Sequence, residues 1–415
     1  MNPTIIEDIK ARKILDSRGN WTIEVDVITR MGYGRACAPS GASTGAHEVI
    51  AFPDSDVEKS LIELEEIVIP ELIGMDAEEQ EVIDDVMREL DGSDNFSNIG
   101  GNATVAISLA SAKAAASSYD LPLYQFLGGN LTVEMPYPLG NVIGGGAHAK
   151  NATDIQEFLV VPVGAKNITE ALFANAEVHR TIKQILGDRV KGFIGGKGDE
   201  GAWAVSLGND EAFEIITEAC ESVKNNTGID VRAGADVAAS ELWDEDLKKY
   251  VYNKEDKELD SGEQVDYMKE LIDTYNLYYV EDPMMEEDFE GFGELTSKVN
   301  CLICGDDLYV TDTKRIKKGI KLQSTNSVLI KPNQIGTLTD TYKAVKLTKN
   351  HKLTPVMSHR SGETVDETIA HLAVGFNCPL IKTGVVGGGR IAKLNELIRI
   401  SEELGQRTKM AQLPI

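Results

Sequence analysis

The chain is short of the residues that mark a secreted scaffold, a nucleic-acid binder or a membrane protein. It carries five cysteines in 415 residues. That odd number in a long chain implies no disulfide framework. Basic residues are scarce, 41 Lys and Arg against 67 Asp and Glu, for a formal charge of −26. This balance argues against sequence-independent nucleic-acid binding, which needs a basic footprint. No run approaches the ~18 uncharged apolar residues of a membrane-spanning helix. The first residues, Met1 to Asp8, have neither a basic region nor an apolar core for export, so a cytoplasmic location is expected. Without an export signal the Asn-x-Thr triplets read as chance. Aromatics are only 6%, yet the hydrophobic fraction is 42%, an ordinary globular composition. A chain of this length suits two domains, or one large barrel with a smaller unit.

Residues 9–15 and 21–27 read as two strands around the turn Ser17-Arg18-Gly19-Asn20, the second alternating apolar with polar residues. Residues 39–45 form a loop of small residues, a linker or a mobile lid. Residues 57–91 are acidic and predict helices with a solvated face. Residues 102–118, rich in Ala and Ser, predict a closely packed helix. Gly128-Gly129-Asn130, followed by Pro136 and Pro138, marks a boundary between domains expected at 1–130 and 131–415. Beyond it, short Val/Ile/Leu runs alternate with helical stretches, which predicts a parallel α/β architecture.

Six of these runs end in one ionisable residue each: Asp236, Glu281, Asp306, Lys331, His359 and Lys382. Their spacings are 45, 25, 25, 28 and 23 residues, mostly near the length of a βαβ repeat. In a (β/α)₈ barrel such ends converge on one face, where active sites lie. Three carboxylates at one mouth repel each other unless a cation sits between them, and all-oxygen ligands suit Mg²⁺. The alternative is that each acid pairs with a nearby Lys or Arg. Lys331 and Lys382 are either salt-bridge partners for those acids, or one of them has a lowered pKa and serves as a general base. His359-Arg360-Ser361-Gly362 is a cluster of donors suited to phosphate. Gly144-Gly145-Gly146-Ala147-His148 is a glycine-rich turn, weak by itself. Gln156-Glu157 open an early strand. Glu200, between glycines in a loop, reads alone as an ordinary surface acid. Cys301-Leu302-Ile303-Cys304 reads as a buried strand rather than a redox or zinc motif.

Together these segments resemble the enolase family, its archaeal type in particular, along nearly the whole chain. The resemblance runs from Asp16-Ser17-Arg18-Gly19-Asn20 and Ser40-Gly41-Ala42-Ser43-Thr44-Gly45 to Gln156-Glu157-Phe158, Gly198-Asp199-Glu200-Gly201 and Glu281-Asp282-Pro283. It continues through Asp306-Asp307-Leu308, Lys331-Pro332-Asn333-Gln334-Ile335-Gly336-Thr337, Ser358-His359-Arg360-Ser361-Gly362-Glu363-Thr364 and Ile381-Lys382-Thr383-Gly384. It implies an α/β fold, an enolase-type (β/α)₈ barrel behind a smaller N-terminal α+β domain. It implies a hydro-lyase that reversibly dehydrates 2-phosphoglycerate to phosphoenolpyruvate in glycolysis and gluconeogenesis. By the same resemblance, Asp236, Glu281 and Asp306 hold a first Mg²⁺, and Ser43 helps bind a second that arrives with substrate. Lys331 removes the C2 proton, and Glu200, assisted by Glu157, protonates the departing C3 hydroxyl. Arg360 and Ser361 hold the phosphate and Lys382 the carboxylate, while Gly41, His148, Gln156 and His359 complete the substrate site. A homodimer is implied, with an octamer built as a tetramer of dimers left open.

Two departures stand out. Val205 replaces a usual proline, and Gly389 replaces a glutamate that pairs across the family's dimer with the position of Arg12. The second such pair, Glu24 with Arg399, is retained, so weaker association is expected. Related superfamily racemases and cycloisomerases place a K-x-K where Gln156-Glu157 stands here. A descendant without chemistry has no need of Lys331, Glu200, Glu157 and all three acids together.

Overall fold

A computed structural model describes residues 2–42 and 44–415. The N-terminal part is a three-stranded antiparallel sheet, β1 (Ile6–Leu15), β2 (Trp21–Thr29) and β3 (Tyr33–Cys37), in that order. The expected hairpin is there, with Ile9 opposite Val27 and Leu15 opposite Trp21. Gly19 takes the left-handed φ of +78° that its turn requires. Two helices matter below: α1 (Gln80–Asp91) and the Ala-rich α2 (Gly101–Ser118). Small side chains bring α2 against the sheet. A Cβ on Gly34 of β3 would fall 2.0 Å from the Ala110 carbonyl oxygen, so only glycine allows this approach. The acidic stretch does more than solvate a face, because Asp84 is buried and accepts a 3.0 Å hydrogen bond from the Thr339 amide across the molecule.

The remainder is a closed eight-stranded barrel. Its strands are β4 (Tyr137–Gly144), β5 (Glu157–Val161), β6 (Arg232–Asp236), β7 (Tyr279–Glu281), β8 (Leu302–Gly305), β9 (Ser327–Ile330), β10 (Thr354–Ser358) and β11 (Leu380–Lys382), with β11 pairing back onto β4. Helices α3 (Ile168–Arg189) and α4 (Asn209–Thr227) lie between β5 and β6. Then α5 (Ser261–Tyr275), α6 (Phe289–Lys298), α7 (Thr313–Leu322), α8 (Leu338–Asn350) and α9 (Thr368–Gly375) each precede the next strand, and α10 (Gly388–Leu404) follows the last. An extra three-stranded sheet within residues 243–259 fills the 45-residue gap before Glu281.

The barrel departs from the all-parallel expectation at one strand. β5 runs antiparallel to both β4 and β6. No helix crosses between β4 and β5, and without a crossover the chain can only return antiparallel. The reversal carries the start of β5, rather than its end, to the mouth where the other strands finish. In register, Glu157 faces Asp236 and Asp236 faces Glu281. Cys301 and Cys304 are buried free thiols, in keeping with a buried-strand reading.

Candidate active site

The strand ends converge as expected. Asp236, Asp306, Lys331, His359 and Lys382 line one cleft with Gly41, His148, Gln156, Glu157, Glu200, Arg360 and Ser361. Glu281 lies beneath it, 2.8 Å from Lys382 Nζ. Ser43, expected to contact a metal, lies outside the described residues.

On the acidic side each of the three expected metal ligands is held by a lysine. Lys382 Nζ donates at 2.8 Å to Asp236 Oδ2 and to Glu281 Oε1, and lies 3.2 Å from Glu157 Oε1. Lys331 Nζ donates to Asp306 Oδ2, whose other oxygen accepts from Gln334 Nε2 at 2.8 Å. Tyr279 donates to Glu281 at 2.7 Å. Burial pushes the Glu281 carboxyl up to about 8, with the Asp236 charge adding to it. Asp236 is lowered, because Lys382 outweighs burial. Of the two alternatives for the lysines, the salt bridges are the one seen, and neither lysine is lowered. Burial acts to lower both, but Asp306 holds Lys331 up, and Asp236 and Glu157 hold Lys382 well up.

The opposite side holds a second pair of buried carboxyls, Glu157 and Glu200. Glu157, Glu200 and His148 bring one ligand atom each within 4.8 Å of one another. Glu200 is no surface acid, since it is buried and sits at a left-handed φ of +67° that aims it inward. Asn141, on β4, donates to its Oε2 at 3.2 Å, and His359 Nε2 lies 3.1 Å from its Oε1. Burial first, then the Glu200 charge, raises Glu157 well above the carboxylate range. Glu200 is held well down against burial by His359 and His148. Burial lowers both His148 and His359, the latter to about 3.

Ser361 Oγ accepts from the Ala42 amide at 2.6 Å and from Arg18 Nη2 at 2.9 Å. Arg18 also donates to the Gly41 carbonyl at 3.2 Å and to Asp199 at 2.6 Å. Ser40 and Gly362 exchange backbone hydrogen bonds, which docks residues 39–42 on the barrel mouth. Arg360 is gripped by Glu48 at 2.8 and 3.1 Å and by Asn333 Oδ1 at 3.1 Å. Asn141, Arg18 and Glu48 were given no role by sequence reasoning. Arg18 stood inside a quoted motif, but nothing local announces Asn141 or Glu48, whose partners lie 59 and 312 residues away.

The donors fit a hard divalent cation. Five buried carboxylates (Asp236, Glu281, Asp306, Glu157 and Glu200) face two lysines, and Arg360 is already paired with Glu48. Burial first, and the Asp236 charge second, raise Glu281 despite the Lys382 contact. Comparison with known proteins decides the family. Residues 132–413 match the model "Enolase, C-terminal TIM barrel domain", and residues 6–127 match "Enolase, N-terminal domain". The chain belongs to the enolase family. It is 60% identical over 414 residues to the enolase of Methanothermobacter thermautotrophicus, covering 99% of each chain. It is 60% identical to that of Methanosphaera stadtmanae, over 97% of this chain and 98% of the relative. Identity to the Archaeoglobus fulgidus enolase is 54%, over 99% of this chain and all of the relative. As an enolase, this chain is a hydro-lyase that interconverts 2-phosphoglycerate and phosphoenolpyruvate.

Proposed function

We propose that the dehydration is divided across this cleft. Lys331 takes the C2 proton, and Glu200 returns a proton to the C3 hydroxyl as it leaves. What carries the division is the placement of a buried ammonium and a buried carboxyl pair in one cleft, each held by its own set of partners. Asp236, Glu281 and Asp306 would hold Mg²⁺, with a second ion arriving with substrate near Ser43. Bound there, the metal supplies charge stabilisation for the developing enediolate. Lys331, mostly buried beside Asp306, is the group placed to act as base in its neutral form. Glu157 stores the proton. An anionic substrate beside Glu200 raises that carboxyl's proton affinity, which favours transfer from Glu157 to Glu200. Arg360 and Ser361 would hold the phosphate and Lys382 the carboxylate, with Gly41, His148, Gln156 and His359 shaping the remainder. The enolase-superfamily use of a Lys or His base with Mg²⁺ is general knowledge of that chemistry.

The purified chain, mixed with 2-phosphoglycerate and Mg²⁺, should develop the ultraviolet absorbance of the enol product. EDTA should abolish it, and Lys331→Ala should lower the rate by at least about 10²-fold. A folded Lys331→Ala variant with unchanged rate would remove Lys331 from the base role.

The reading further takes residues 1–130 and 131–415 as separate domains. The gap between the two family matches, residues 128–131, supports it. It takes the protein as cytoplasmic, and no helix among the described residues is long and apolar enough to cross a membrane. It takes the chain as at least a dimer. Within one chain Arg12 pairs with Glu24 at 2.5 Å and Arg399 with Glu396 at 2.5 Å, so a Glu24–Arg399 contact across a dimer would require these pairs to exchange partners. Gly389→Glu is a poor test of subunit strength, because a Cβ there would meet the Thr364 carbonyl oxygen at 2.7 Å. Arg399→Glu is cleaner. Sedimentation velocity over a dilution series should show it dissociating at higher concentration than the parent chain.

A further inference from the structure

Arg390 lies near the start of α10 and is 3% exposed. Its Nη1 lies 3.0 Å from His359 Nδ1 and donates to the Arg360 carbonyl at 2.6 Å, while Nη2 donates to the Ser361 carbonyl at 2.5 Å. One side chain therefore spans the His-Arg-Ser segment from behind. The approach is close because residue 384 is glycine. A Cβ there would sit 3.3 Å from Arg390 Cγ and 3.2 Å from the Glu200 carbonyl oxygen.

A guanidinium has only N–H donors and stays protonated in proteins. At the His359 contact Arg390 must donate, so Nδ1 must offer its lone pair. Burial keeps the imidazole neutral. Its single proton is then on Nε2, which points at Glu200 Oε1 from 3.1 Å. That separation is an ion-pair contact rather than a formed hydrogen bond, and Nε2 has no hydrogen-bond partner among the described residues. Catalytic hydrogen bonds often tighten only when substrate is bound. The opposite tautomer would set N–H against N–H at Arg390 and a lone pair against carboxylate at Glu200.

We propose that Arg390 is a positioning residue, fixing His359 as the tautomer that donates from Nε2 to Glu200. With that N–H facing it, Glu200 takes the proton from Glu157 and releases it to the C3 oxygen, which departs as water. The proposal rests on Glu200 delivering that proton.

The test uses the full chain with Mg²⁺ and separates the two halves of the reaction. Deuterium uptake at C2 of 2-phosphoglycerate in D₂O reads proton removal alone, and enol absorbance reads the whole dehydration. In Arg390→Gln, which can present either a donor or an acceptor to Nδ1, turnover should fall by about 10²-fold, with C2 exchange falling much less. Arg390→Lys, a donor only, should recover part of the loss. In ¹⁵N-histidine-labelled protein the His359 signal, assigned by its loss in His359→Asn, should show an unprotonated Nδ1 in the parent chain. Equal losses of exchange and turnover in Arg390→Gln would overturn the proposal. So would a protonated Nδ1 in the parent, a measurement that needs no variant of Arg390 to fold. Glu200→Gln keeps the two readings apart. Full turnover there would overturn the acid assignment, whereas loss of turnover with surviving exchange leaves that assignment standing and the tautomer to be judged on its own results.

Discussion

Lys382 shows how a single charge organises the cleft. Its ammonium touches Asp236, Glu281 and Glu157, all buried. Removing one partner of a buried ionic group leaves the others uncompensated and typically costs about 3–5 kcal/mol. Lys382→Met should therefore unfold at lower denaturant than the parent chain. Added Mg²⁺ should stabilise the variant more than it stabilises the parent, because a cation among the acids replaces the missing charge. Equal stabilisation of the two proteins in denaturant titrations would show that the ion binds elsewhere. Residue type and spacing made Lys382, Lys331 and the three acids legible in the sequence. The same information misread Glu200, because its neighbours are glycines and its burial comes from β4 and the His359 segment, both far away in the chain.

Elements were legible where periodicity is local. The β1–β2 hairpin, the helix at 101–118 and the six strand ends all lie where alternation, composition and turn residues put them. The reversed β5 was not legible. A five-residue strand buried on both faces has no alternation, and its direction depends on whether a helix intervenes before it. The interface of α2 with β3 depends on glycine rather than on any hydrophobic pattern. Gly34→Ala would drive a methyl group into the Ala110 carbonyl. Overpacking of this kind costs about 1–3 kcal/mol. Thermal melts should show the loss, while Gly19→Ala, at a turn with open space around it, should show only the smaller cost of its left-handed backbone.

Across the whole molecule, the two parts of the chain are joined by polar contacts that are at least half buried. Lys113 of α2 meets Glu367 at 3.0 Å, and Asp84 of α1 receives the Thr339 amide at the start of α8. Burial raises Asp84 to about 6, against hydrogen bonds that pull it down. A carboxyl raised on folding binds its proton more tightly in the folded state. Its stabilising contribution is full below the unfolded value near 4 and is lost as pH rises through about 6. Asp84→Asn should remove that fall from the stability profile between pH 4 and 6, as read by denaturant midpoints across the range. An unchanged profile would place the pH sensitivity in other groups.

The reversal of β5 has a consequence for how the barrel comes together. Parallel neighbours in a barrel must wait for a crossover helix before they can pair, and closing the ring joins β4 to β11, residues more than 200 positions apart. β4 and β5 are instead sequence neighbours joined by a short link, so their pairing has little loop entropy to overcome. The β4–β5 pair, which sets Glu157 opposite Gly144, is thus also the most local strand pairing in the barrel. The strand whose direction breaks the barrel's regularity is suited to be the seed from which the remaining strands are laid down.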